Sequence, residues 1–189
     1  MIRRACDGDA QSIANIYNQA MKEGIFATCE VTPVSAESRL TWLANHADPY
    51  PAFVFEKDGR VIGWSALNRF SVRGAYTRVA EVSVYVDEER RSNVVGAALF
   101  MHLLLAAQRL GFRSLVSLTF EKNAPSIRGL VAAGFRQKAC LREVAWLRER
   151  WENVVWLQKD LTKDAFDGVS PALRTAWQAR AAEGAFDAR

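Results

Sequence analysis

Val79-Ala80-Glu81-Val82-Ser83-Val84-Tyr85-Val86 is followed without a break by Asp87-Glu88-Glu89-Arg90-Arg91-Ser92-Asn93-Val94-Val95-Gly96-Ala97 and then by a long apolar segment. The first eight residues read as a β-strand. Its second half alternates, with Val82, Val84 and Val86 on one face and Glu81, Ser83 and Tyr85 on the other. The next eleven read as a polar, basic turn that runs into a helix amino-terminus. Such a turn collects unpaired backbone N–H groups and cationic side chains where a phosphorylated ligand can sit. Arg90, Arg91, Asn93, Gly96 and Ala97 form the candidate anion site, Gly96 letting a diphosphate approach the backbone. The same residues read equally well as a solvated basic cap. Glu81, a carboxylate in apolar surroundings, is either a general base for an ammonium substrate or a partner for Arg73 or Arg78.

Toward the amino terminus, Ala52–Glu56, Asp58-Gly59 and Val61–Leu67 predict a β-hairpin. Residues 68–77 are a polar loop leading into the strand. Ile2-Arg3-Arg4 is short and extended. Asp7 or Asp9 offers a cap to a helix in which Ile13, Ile16, Tyr17, Ala20 and Met21 recur at helical spacing. Ser35 starts a second helix with Leu40, Trp42 and Leu43 on its apolar side, and Asp48-Pro49-Tyr50-Pro51 stops it.

Toward the carboxyl terminus, apolar residues nearly encircle the helix from Val94 to Arg109. That predicts burial on more than one side, under a sheet and loop or against a partner chain. Leu115–Phe120 is a strand, and Asn123-Ala124-Pro125-Ser126 opens a short helix. There Asn123 and Ser126 either cap the helix or hold the amides of a long cofactor arm. Strands follow from Phe135 to about Leu141 and from Trp151 to Leu161. Ser170-Pro171 starts a terminal helix docked through Trp177. The interleaving implies a mixed α/β sheet with helices on both faces. Two strands each run into a helix, at 86–94 and 120–126, and can splay to leave a wedge for a ligand.

The 189 residues suit one domain, here 1–161, with an extension at 162–189. No run of 18 apolar residues occurs and the first residues lack a signal-peptide core, so the expected location is the cytoplasm and not a membrane. Cys6, Cys29 and Cys140 are scattered, as reduced structural thiols are. The formal charge is +4, while residues 162–189 hold four basic and four acidic residues, so the excess lies in the first 161. An anionic cofactor accounts for it as well as nucleic acid would, and no aromatic-and-basic strip favours nucleic acid. His46, at a helix end that favours a cation, and His102, inside the apolar helix, read as structural; no metal site is expected.

The chain resembles the GNAT-superfamily N-acetyltransferases, and within them the phosphinothricin and methionine sulfoximine acetyltransferases. The resemblance runs from Ile2 to Leu161 through Ile16-Tyr17-Asn18, Arg73-Gly74-Ala75-Tyr76, Ala80–Val86, Asn123–Arg128, Ala133-Gly134-Phe135 and Trp151–Val154. It implies a GNAT fold and acetyl-CoA as donor, with a small amino acid or analogue as acceptor. The backbone of Val84, Tyr85 and Val86 would pair with the pantetheine arm. The turn of Arg91, Ser92, Asn93, Val94, Val95, Gly96 and Ala97 would cradle the pyrophosphate. Asn123 and Ser126 would lie near the arm and thiol, with Ser126 or water as proton source for the thiolate. Glu81 matches the family base. Arg73 and Tyr76 match the loop that holds the acceptor's acidic end. A homodimer is implied, in agreement with the apolar helix.

Four departures from the family pattern stand out. Val94 replaces the first glycine of the pyrophosphate loop, which predicts weaker acetyl-CoA binding or a different turn. Gly129-Leu130 replaces an apolar residue and histidine. Leu147-Arg148-Glu149-Arg150 replaces a Lys/His-Gly segment, and Asn153 stands in place of Asp. Two other readings stay open: a transferase for protein or polyamine amines, and a GNAT-fold binding or regulatory protein with weakened catalysis.

Overall fold

The computed structural model describes residues 1–22, 24, 26–90, 93–161 and 164–182. Seven strands, β1 (Ile2–Arg4), β2 (Ala52–Lys57), β3 (Arg60–Arg69), β4 (Val79–Val86), β5 (Ser114–Phe120), β6 (Arg136–Leu147) and β7 (Arg150–Asp160), form one sheet in the order β1-β2-β3-β4-β5-β7-β6. Neighbours are antiparallel except β4 and β5, which are parallel because a helix carries the chain between them. The five α-helices are α1 (Ala10–Gln19), α2 (Ala36–Ala44), α3 (Asn93–Arg109), α4 (Ala124–Ala132) and α5 (Pro171–Ala182).

The β2–β3 turn is the predicted one. Asp58 and Gly59 both take positive φ, at 52° and 72°, the twist that a two-residue hairpin requires. The β6–β7 turn uses the same geometry without glycine: Arg148 and Glu149 sit at φ 51° and 62°. Each costs about 1 kcal/mol of backbone strain. Arg148 offsets part of it by donating from Nη2 to the carbonyls of Met21 and Lys22, at 3.1 and 2.6 Å, just beyond α1. The strand before this turn is longer than the sequence suggested, because it continues past a bulge between Leu141 and Ala145. Asn153 holds that bulge. Its Oδ1 accepts from the Glu143 N–H at 2.9 Å and its Nδ2 donates to Glu121 Oε2 at 2.8 Å. An aspartate could not make the second bond.

Both faces of the sheet are covered, as expected. Ala10, Ile13 and Ile16 of α1 and Leu43 of α2 pack against Ala52, Val54, Trp64 and Ala66. On the other face α3 packs against Phe53, Phe55, Leu67, Ala80 and Val82. Leu99, Met101, Leu103 and Leu104 of α3 are fully buried, each contributing on the order of 2 kcal/mol of transfer free energy. The second apolar side of α3 is covered by this chain's own α5, through Leu173 and Trp177, so it is no evidence for a dimer. Residues 164–182 of the extension dock on the domain: Trp177 packs on Phe166 with centroids 5.2 Å apart, and the Ser170 N–H donates to Ala132 O at 2.8 Å.

Three local expectations change. Asp9 does not cap α1 with its side chain; it turns back to accept from Arg3 Nη1 and Nη2 and from the Cys6 N–H. On α2, Leu40 faces solvent and Arg39 takes the inward place. His46 is not a helix-end cation: burial lowers its pKa, and the ring stacks on Trp42 at 3.7 Å.

Candidate active site

The pairing of β4 with β5 lasts three residues: Val79 with Ser114, Ala80 with Leu115 and Glu81 with Val116. Beyond Glu81 the strands part. β4 stays paired with β3 through Val86, and β5 stays paired with β7 through Phe120, so only the inner edges of the two strands are released. Val82, Val84 and Val86 therefore turn unpaired backbone groups toward the gap, while Ser83 and Tyr85 turn theirs to β3. A cavity of about 840 Å³ occupies it. Its walls are Glu81–Val86 of β4, Ser117, Leu118 and Thr119 of β5, and Val94, Gly96, Ala97 and Phe100 of α3. Asn123 and Ser126 line it at the start of α4.

Val94 is in the first turn of α3, partly exposed, and it lines the cavity without closing it. It does not take positive φ, so the conflict expected of a β-branched residue in a glycine turn does not arise. At Gly96 an added Cβ would meet nothing of the protein closer than Val86 Cγ2 at 3.7 Å, so the open space beside it belongs to the cavity. Val95 departs from the reading: its side chain is buried in the core, and only its backbone could serve a diphosphate. Asn93 opens α3, whereas Arg91 and Ser92 lie outside the described residues.

Glu81 faces the α1–α2 side with Ser83 and Tyr85, as the alternation requires. It makes no ion pair and no side-chain hydrogen bond with the described residues, so neither Arg73 nor Arg78 is its partner. Desolvation raises its pKa above the usual carboxylate range. Tyr85 is committed to packing: its ring stacks on Trp64 at 4.7 Å and meets Tyr17 edge-on at 4.9 Å, and its hydroxyl donates to Ala27 O at 3.0 Å. Asn123 does cap α4, its Oδ1 accepting from the Ser126 N–H at 3.2 Å, while its amide nitrogen remains for the cavity. Arg73 and Tyr76 are exposed on the β3–β4 loop and line neither cavity described here; Tyr76 packs on Phe70 at 5.4 Å.

Two features escaped the sequence reading. Ser170, Ala172, Leu173 and Ala176 bring α5 into the wall of the large cavity. A second cavity of about 380 Å³ lies on the α1–α2 side, bounded by Tyr17, Arg39, Trp42, Trp64, Asn68 and Ser83. Ser83 lines both cavities. The signal available for Arg39 was its spacing one turn from Trp42, which aligns the two on one helix face.

Residues 2–156 match the acetyltransferase (GNAT) domain family. The chain belongs to the GNAT family. Among its relatives, the L-methionine sulfoximine/L-methionine sulfone acetyltransferase of Salmonella typhimurium is 29% identical over 165 residues, covering 87% of this chain and 96% of the relative. The phosphinothricin N-acetyltransferase of Streptomyces viridochromogenes is 28% identical over 159 residues, covering 84% and 86%. The GNAT-superfamily phosphinothricin acetyltransferase of Sinorhizobium meliloti, solved in complex with AcCoA, superposes with a TM-score of 0.78 at 28% identity, covering 87% of this chain and 89% of that one. The GNAT fold read from the sequence is therefore the fold observed, and the GNAT family match ends before α5. Among the described residues no group of three His, Cys, Asp or Glu is placed to hold a metal, and no helix is long and apolar enough to cross a membrane.

Proposed function

We propose that this GNAT enzyme transfers the acetyl group of acetyl-CoA to the amine of a small amino acid or amino-acid analogue of the phosphinothricin or methionine sulfoximine type. The observation that carries this reading is Glu81, without an ion pair among the described residues and desolvated at the point where β4 and β5 part. The residues present suit coenzyme A: a released strand edge for the pantetheine amides, a helix amino-terminus with Gly96 for the diphosphate, and a cavity large enough for both. Acetyl-CoA supplies an activated acyl group as a thioester.

Glu81 takes a proton from the acceptor's ammonium group, directly or through water, and frees the nitrogen lone pair to attack. Its raised pKa brings a carboxylate closer to that task at neutral pH. The N–C bond forms as the C–S bond breaks, with the backbone N–H of Val84 or Val86, which the alternation turns away from β3, stabilising the oxygen on which charge develops. The departing sulfur recovers a proton from the side of Ser126 or from water. Tyr85 does not supply it, because its hydroxyl is bound to Ala27 O and burial holds its pKa far above the ordinary range. Transfer is direct, since no cysteine lines either cavity.

Arg73 and Tyr76 on the β3–β4 loop belong to the proposal as an outer contact for the acceptor. A homodimer is also part of it. With α3 covered, a surface that suits it is the exposed, edge-on pair Trp146 and Trp151 on the β6–β7 hairpin. Cytoplasmic work suits three free cysteines.

The test is thiol release from acetyl-CoA with phosphinothricin, L-methionine sulfoximine and L-methionine sulfone, in the native enzyme and in Glu81→Gln. The variant should lose about 100-fold or more in kcat, within the usual range for a general base, with acetyl-CoA affinity nearly unchanged. It should also melt higher at pH 7. A carboxyl whose folded pKa is raised destabilises the fold once pH passes its unfolded value, and glutamine removes that charge. Full activity in Glu81→Gln removes Glu81 from the mechanism.

A further inference from the structure

We propose that the pocket beneath α2 is the acceptor's oxyanion site and that Arg39 is its ligand, an inference that rests on the transferase reading above. Arg39 is only 8% exposed, yet its side chain makes no ion pair or hydrogen bond among the described residues, and its Nε is fully buried without a partner. A buried guanidinium is costly unless it is paired. What surrounds it instead is aromatic: its central carbon lies 4.5 Å from the Tyr17 ring centroid and 5.3 Å from that of Trp42. Those faces orient the planar fork and offset part of the desolvation cost, but they leave its N–H donors unused. Arg39 lines a cavity of about 380 Å³, at the small end of the range for small-molecule sites.

The location joins this cavity to the chemistry. Ser83 lines both cavities, and Glu81 stands two residues before it on the same face of β4. Asn68 fixes that wall, donating from Nδ2 to Ser83 Oγ at 2.9 Å and to Glu81 O at 3.3 Å. An acceptor with an oxyanion on the Arg39 fork would thus reach from beneath α2 toward Glu81, where its amine must arrive. Glu30, also on the wall, is a carboxylate with no ion pair to Arg39. It discourages a second anion, so the site takes one oxyanion and not a diacid at this end. Carboxylate and phosphinate share the chemistry that a planar bidentate donor recognises.

The experiment compares the native full-length enzyme with Arg39→Gln and Arg39→Lys on three acceptors: L-methionine sulfone, its carboxamide, and phosphinothricin. Arg39→Gln should raise KM for L-methionine sulfone by about 30-fold or more while kcat and acetyl-CoA affinity change less than threefold. Arg39→Lys should recover part of the loss. If the fork holds the α-carboxylate, both free acids suffer and the carboxamide does not. If it holds the phosphinate, the loss is confined to phosphinothricin. A KM that is unchanged for both acids, or that rises equally for acid and carboxamide, overturns the assignment, whatever happens to the melting temperature. If the native enzyme acetylates none of these, the function proposed above fails separately. Calorimetric titration of L-methionine sulfone and phosphinothricin into native and Arg39→Gln protein then decides the pocket: binding that needs Arg39 keeps the assignment, and no binding of either removes it.

Discussion

The two cavities that meet at Ser83 are built in different ways. The larger one is made by withholding backbone contacts. Two parallel strands pair for three residues and then separate, and the released edges, together with the first turn of α3, present main-chain groups. The smaller one is made by side chains alone, an arginine held between aromatic rings from α1 and α2 over the opposite face of β4. Backbone sites suit a ligand whose recognised parts are amides and phosphates. Side-chain sites change with single substitutions. On the proposed assignment, donor binding and acceptor choice are separated across one strand.

The separation can be broken most directly from the donor side. Ala176→Trp on α5 places a large ring in the wall of the wedge and should weaken acetyl-CoA about 10- to 100-fold by calorimetry, with the acceptor KM nearly unmoved. If both parameters shift together, the cavities are not independent. Trp177→Ala should cost about 3 kcal/mol of stability, in the range for removing a large packed aromatic, and loosen the same wall. Denaturant unfolding measures the first effect and acetyl-CoA titration the second.

A pH experiment probes the support behind the wedge. Burial first, and the charge of Arg109 after it, pull His102 down to about 4, with its ring edge-on to Phe53 at 4.5 Å. The unfolded chain binds a proton there near pH 6.5 and the folded chain does not. Stability should therefore fall as pH drops from about 6.5 toward about 4, by on the order of 2 kcal/mol, and His102→Gln should flatten that slope. The smallest effect belongs to Val94→Gly. Because Val94 is helical and only lines the cavity, acetyl-CoA affinity should tighten no more than about threefold. A much larger gain would mean that the valine obstructs the diphosphate after all.

The wedge proposed for the donor was legible in the sequence because it depends on local order. The alternation that set Glu81, Ser83 and Tyr85 on one face, the strand-to-helix turn and the cap at Asn123 are all contacts between residues a few positions apart. The smaller cavity was not legible. Leu40 was assigned to the buried side of α2, and the inward place belongs to Arg39, because its aromatic partner Tyr17 reaches it from a distant segment. The same limit explains α3. Its apolar circumference announced burial on two sides, but whether a partner chain or α5 supplied the second cover depends on where a helix some 60 residues later docks.

The order of secondary structure, the hairpin turn at Asp58-Gly59, the faces of β4 and the family were fixed by the amino-acid order alone, since hydrophobic period and turn chemistry act within a few residues. Tertiary structure alone decided how far β4 and β5 pair, that the terminal helix walls the wedge, and that an arginine under α2 has no ion pair among the described residues. Those outcomes depend on which distant surfaces exclude water from one another, and no local pattern encodes that competition.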